Sequence, residues 1–153
     1  MSAEQGSLLI RPAVALEIGQ LLTIERAAQS HPWSEYQLLE SLRDDIVFVV
    51  QSNTQIVAWC ALQSVLDEAT LLNIAVSPSH QRQGIARQLL EHAFSTLRGR
   101  GCQRCFLEVR AGNTSAITLY QQLGFVFDGV RKNYYAAQGA SAREDAHLFH
   151  ADW

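Results

Sequence analysis

The chain has 153 residues, 48% of them hydrophobic and 18% charged, with twelve Lys and Arg against fifteen Asp and Glu for a net charge of −3. At ~150 residues per domain this is one domain, spanning 1–153, large enough to bury a core without staples. The apolar content excludes a disordered chain, three cysteines exclude a disulfide scaffold, and the slight acidity excludes a generic basic nucleic-acid binder.

The chain opens Met1-Ser2-Ala3-Glu4-Gln5-Gly6, with an acid where an export signal carries base, and no apolar run approaches a membrane span. A cytoplasmic protein without membrane contact is expected. Leu8-Leu9-Ile10 reads as a short strand. Pro12 then opens a helical pattern carried by Val14, Ile18, Leu21, Leu22 and Ala28, broken at His31-Pro32. Ser34-Glu35-Tyr36-Gln37 has capping-box form, so a second helix follows to Leu42. Residues 46–51 and 56–65 are apolar and rich in β-formers around a polar turn, which predicts a hairpin.

A further apolar strand covers residues 71–76. Ile85, Leu89, Leu90, Ala93, Phe94 and Leu97 then repeat at the helical period, with Gly99 and Gly101 closing that helix. Residues 105–109 form a strand, and Asn113 caps a helix holding Ala116, Ile117, Tyr120 and Leu123. Final strands cover 125–130 and 146–149, separated by a loop over 135–143, with Arg131-Lys132 read as a solvated turn. The early strands connect by turns and are antiparallel, whereas strand 71–76, the long helix and strand 105–109 form a parallel crossover. The fold class is α/β: a mixed, mostly antiparallel twisted sheet with a parallel β-α-β core and helices on both faces.

Chemistry concentrates at Val76-Ser77-Pro78-Ser79-His80-Gln81-Arg82-Gln83-Gly84-Ile85-Ala86. A strand runs through a short loop into a helix whose first turn is small. Unpaired N–H groups and the positive end of the dipole meet there, beside Arg82 and Arg87, as a pyrophosphate would require. No Gly-Lys-Ser/Thr follows and only one glycine is present, so neither a Walker loop nor a dinucleotide fingerprint fits. Cys102 and Cys105 lack a second pair, and their spacing points the thiols to opposite faces. Apart from His147 and His150 at a strand end, the histidines show no metal-ligand spacing, and no metal is expected.

Gln81-x-x-Gly84-x-Ala86 after an apolar strand resembles the acetyl-CoA loop of the GNAT superfamily of N-acetyltransferases. Asp67-Glu68-Ala69-Thr70-Leu71, Leu107-Glu108-Val109-Arg110, Leu123-Gly124-Phe125, Asn133-Tyr134-Tyr135, Arg143-Glu144-Asp145-Ala146 and His31-Pro32-Trp33-Ser34 extend the resemblance to the RimI-type ribosomal-protein alanine N-acetyltransferases, over most of the chain. The resemblance implies the GNAT fold and acetyl-CoA as co-substrate. Ile74, Ala75 and Val76 would offer backbone groups to the pantetheine arm, and a Val76-region N–H would polarise the thioester carbonyl. Arg82, Gln83, Gly84, Ile85, Ala86 and Arg87 would hold the pyrophosphate, and Asn113 would touch the cofactor arm. Glu108 would be general base and Tyr120 general acid. Alternation places Glu108 on the sheet face opposite Leu107 and Val109.

The implied acceptor is the N-terminal alanine of a small-subunit ribosomal protein, gripped by Trp33, Glu35, Tyr134 and Tyr135, in a monomer or weak dimer. The alternatives are a lysine side chain or small amine as acceptor, or a non-catalytic CoA-binding module. The sequence departs from its relatives at Ala86, where many have Gly, and at Ala136, where a proline is common.

Overall fold

A computed structural model describes residues 8–136 and 143–153. The expectations for residues 1–6 and for the Ala/Gly/Ser-rich stretch 137–142 lie outside the described residues. The elements are β1 (Leu8–Pro12), α1 (Ile18–Ala28), α2 (Glu35–Asp44), β2 (Ile46–Ser52), β3 (Gln55–Val65), β4 (Glu68–Val76), α3 (Ile85–Gly99), β5 (Arg104–Arg110), α4 (Thr114–Gln122), β6 (Val126–Tyr135) and β7 (Glu144–Asp152). The strands form one sheet in the order β1-β2-β3-β4-β5-β7-β6. β4 and β5 pair in parallel, and the other neighbours pair antiparallel.

β2 and β3 are nearly continuous apolar runs because helices cover both their faces. Val47, Val49, Trp59 and Ala61 meet α1 and α2, while Phe48, Val50, Cys60 and Leu62 meet α3. The expected stripe on α3 is buried throughout, from Ile85 to Leu97. Each fully buried Leu on it is worth roughly 1.5–3 kcal/mol. The Ser34 capping box is present: Gln37 N–H donates to Ser34 Oγ at 3.1 Å, and Ser34 N–H donates to Gln37 Oε1 at 2.8 Å.

Four local expectations are corrected. Pro12 ends a strand opposite Phe48 instead of opening a helix, since β1 is an edge where its missing N–H costs no ladder bond. Helix α1 begins only at Ile18, after a short 3-10 turn. Tyr135 pairs with Glu144 and extends β6 beyond the predicted strand, so Arg131 and Lys132 stand within β6 and not in a turn. Cys102 and Cys105 both enter the same core cluster, because Cys102 precedes the strand and escapes its alternation.

Two irregularities shape the centre of the sheet. Leu62 faces Leu71 but Ala61 faces Asn73, so Leu72 is an extra, bulged residue in β4. The β4–β5 pairing covers Glu68–Leu71 against Arg104–Leu107 and ends there. Beyond it β4 continues along β3 while β5 continues along β7, so the two strands part.

Candidate active site

The parting strands leave a gap whose β4 wall is backbone. Ser77 N–H donates to the Val57 carbonyl at 2.8 Å, which fixes the phase of the antiparallel ladder. Asn73 and Ala75 then bond to β3, while Ile74 and Val76 turn their N–H and C=O groups away from it, toward the gap. Two side chains meet those carbonyls. Gln29 Nε2 donates to Ile74 O at 2.9 Å, and Gln81 Nε2 to Val76 O at 3.0 Å. The N–H groups of Ile74 and Val76 face the same gap.

At the far end of β4 the chain turns into α3. Gly84 is the N-cap, with φ of 78°, and Arg82 has φ of 62°. The turn needs a left-handed residue, and a Cβ on Gly84 would meet nothing within 4 Å, so the space before it is open. Gln88 N–H bonds the Gly84 carbonyl, leaving the earlier N–H groups of the first turn without helical partners. Arg87 is steadied by Gln122 at 3.4 Å and Glu91 at 3.8 Å. A groove of about 610 Å³ runs along this wall, lined by Ile74, Ala75, Val76, Arg82, Gly84, Ile85, Ala86, Arg87 and Asn113. Donors, open space and two guanidinium groups suit a phosphorylated, extended ligand such as a coenzyme A thioester. Gln83 stands outside the lining.

A second groove, of about 240 Å³, opens on the other side of the gap and includes Trp33, Glu108, Arg110, Tyr120 and Tyr135. Gln29, Ile74, Asn113, Ala116 and Tyr120 line both grooves. Asn113 also caps α4, accepting from Ala116 N–H at 3.3 Å. Tyr120 is 6% exposed, and burial pushes its phenol pKa well above the ordinary value. Glu108 lies on the face opposite Leu107 and Val109, where Arg131 of β6 pairs with it at 3.2 Å.

Trp33 packs edge-on against Trp59, centroids 5.7 Å apart. Tyr135 is half-buried beneath the Arg110 guanidinium at 4.2 Å, and burial, then the nearby Glu108 charge, pushes its phenol up to about 12. Tyr134 stands outside both grooves, supporting Tyr135 at 5.1 Å. Glu35 also stands outside them, in the exposed first turn of α2.

Several groups at the gap were not anticipated from sequence: Glu25, Gln29, Asn73, Arg110 and Arg131. Glu25 is 1% exposed, and burial raises its carboxyl pKa against the opposing hydrogen bonds from Trp33 and Asn73. Among the described residues no group of three or more His, Cys, Asp or Glu is placed to hold a metal ion.

The Acetyltransferase (GNAT) family profile matches residues 18–125. The chain belongs to the GNAT acetyltransferase family. Among its relatives, the [ribosomal protein bS18]-alanine N-acetyltransferase of Escherichia coli K12 is 45% identical over 124 residues, covering 80% of this chain and 82% of the relative. The same-named protein of Haemophilus ducreyi is 40% identical over 141 residues, covering 90% and 95%. The crystal structure of the Escherichia coli ribosomal-protein-S18-alanine N-acetyltransferase superposes with a TM-score of 0.89 at 39% identity, over 95% of this chain and 93% of that one. The family match runs from the start of α1 past α4. In this GNAT chain Tyr135, which lines the second groove, and its β6 neighbours Arg131 and Tyr134 therefore lie beyond the matched stretch.

Proposed function

We propose that this chain is an acetyl-CoA-dependent N-terminal acetyltransferase, modifying the α-amine of the N-terminal alanine of a small-subunit ribosomal protein by direct attack in a ternary complex. The observation that carries the reading is the meeting of two grooves at Tyr120, one leading to a helix N-terminus and the other to the Glu108 carboxylate. Relatives 45% and 40% identical, named for alanine acetylation of ribosomal protein bS18, support the acceptor class. The ribosomal-protein substrate named for those relatives supports work in the cytoplasm. The chain acts as a single domain, and as a monomer or weak dimer.

Each step assigns work to residues at the gap. The first turn of α3, with Arg82 and Arg87, takes the pyrophosphate, and Gly84, Ile85 and Ala86 keep that turn open to it. Ile74, Ala75 and Val76 hold the pantetheine arm as an added strand, with Asn113 at its side. An α-amine has a pKa near ~7.7–8.0, so at neutral pH it arrives mostly protonated. Glu108 takes that proton, directly or through water, with Arg131 orienting the carboxylate. Attack on the thioester carbonyl builds negative charge on its oxygen, which a Val76-region N–H stabilises. Tyr120, whose phenol burial keeps protonated at neutral pH, gives its proton to the departing thiolate. Trp33 and Tyr135 wall the acceptor's entry, with Tyr134 behind Tyr135 and Glu35 offering charge to a basic peptide.

The test uses a peptide beginning Ala-Arg and its N-blocked, lysine-containing counterpart. Acetylation of the free peptide alone is expected, and modification of only the blocked peptide overturns the N-terminal reading. Glu108→Gln and Tyr120→Phe should each lower kcat by roughly 10²-fold or more, the usual worth of a general acid or base. Wild-type turnover in both overturns the catalytic assignment.

A further inference from the structure

A carboxylate with 1% exposure in the wall of a reaction groove demands an explanation, because its burial costs more than an apolar residue of the same shape. Glu25 Oε2 accepts two hydrogen bonds. One comes from the backbone N–H of Trp33 at 2.9 Å, the other from Asn73 Nδ2 at 3.0 Å. Its other oxygen, Oε1, is buried and has no hydrogen-bond partner among the described residues. Gln29, the first residue past α1, donates to Asn73 Oδ1 at 3.0 Å and to the Ile74 carbonyl at 2.9 Å.

The partners belong to different walls of one groove. Trp33 stands in the loop between α1 and α2, and Asn73 is the first residue after the β4 bulge. Glu25, Trp33 and Asn73 all line the groove that holds Glu108. No backbone ladder joins that loop to β4, so side chains set their separation: Gln29 reaches β4 from the start of the loop, and Glu25 alone bonds both the Trp33 backbone and Asn73.

We propose that Glu25 is the positioning residue of the acceptor groove: its buried carboxylate ties the α1–α2 loop to the bulged strand and so sets the width through which the acceptor N-terminus enters. This rests on the reading that the acceptor uses the Trp33–Glu108 groove. Acetyl-CoA meets the other groove, toward which Glu25 contributes no lining. Loss of the tie therefore weakens the acceptor and spares the donor.

The experiment measures KM for an Ala-Arg peptide and for acetyl-CoA in Glu25→Ala, Glu25→Gln and Asn73→Ala. Glu25→Ala should raise the peptide KM roughly tenfold, the scale of a lost hydrogen bond to a charged acceptor, with acetyl-CoA KM unchanged. Glu25→Gln should rescue it, since an amide oxygen still accepts from both donors. Asn73→Ala, which removes one of the two bonds, should raise the peptide KM by less. An unchanged peptide KM in Glu25→Ala, an equal rise in both KM values, or a Gln variant as impaired as Ala overturns the proposal. Should Glu25→Ala fail to fold, an unchanged peptide KM in Asn73→Ala overturns it instead. Glu108→Gln in the same assay reports on the site itself: its loss of kcat stands or falls separately from the peptide KM of the Glu25 variants.

Discussion

Glu25 and Glu108 are both carboxylates on the approach to one groove, and their surroundings differ in kind. Glu108 is partly exposed and meets a guanidinium, whereas Glu25 is enclosed and meets only neutral donors. Enclosure raises the Glu25 pKa, so the folded protein holds that proton more tightly than the unfolded chain. Folding stability therefore falls as pH rises through the carboxylate range toward the raised value. Glu25→Gln sheds the buried charge and keeps the shape. It should melt at a higher temperature than wild type at pH 7, with the gap closing on acidification; a lower Tm at pH 7 contradicts this. The role of Glu108 was approachable from sequence because Leu107 and Val109 flank it and strand alternation sets its face. Glu25 gave no such signal. It sits between Ile24 and Arg26 in an amphipathic helix, where a Glu reads as solvated, and Asn73 is 48 residues away. Arg131 was hidden for the same reason, its partner lying on another strand.

Helix α3 was legible almost residue for residue, since six apolar positions at one period leave little choice. Its start is more demanding. Gly84 occupies the left-handed region with open space around it, so Gly84→Ala adds backbone strain without a clash. The expected cost is about 1–2 kcal/mol in urea denaturation, the penalty an L-residue meets there. Acetyl-CoA KM should rise while the peptide KM holds, because that turn faces the first groove only. Unaltered stability would mean the turn tolerates a second conformation. Caps were equally plain: Ser34 and Asn113 both accept the backbone N–H their spacing predicts. Pro12 misled because a proline before an apolar periodic stretch signals a helix start, yet edge strands accept it as well. The length of β6 was unreadable for a related reason. The irregular pairing between Arg131 and Tyr135 breaks the alternation that would have marked it.

At the scale of the molecule, one sheet separates two apolar clusters, with Trp59 in one and Phe94 in the other. Both clusters draw on β2 and β3, so neither can melt while the other keeps its strands. We propose that the chain unfolds as one cooperative unit. Tryptophan fluorescence and far-UV circular dichroism should give coincident denaturation midpoints, and two separated transitions would divide the domain. The parallel crossover was readable from the helix between two apolar strands, since such a link cannot be a turn. The insertion of β7 between β5 and β6 was not, because a hairpin's sequence does not say which strand faces the sheet.

Leu72 has a consequence that reaches past its own position. Before it, odd-numbered Ala69 and Leu71 face the α3 core; after it, odd-numbered Asn73 and Ala75 face α1, and Ile74 faces α3. One extra residue thus acts as a parity switch along a single strand. A chain lacking Leu72 must either turn Ala69 and Leu71 out of the core or turn Asn73 away from Glu25. The sheet's hydrophobic pattern and the acceptor groove are in that sense written in two frames, and this residue is where the frames join.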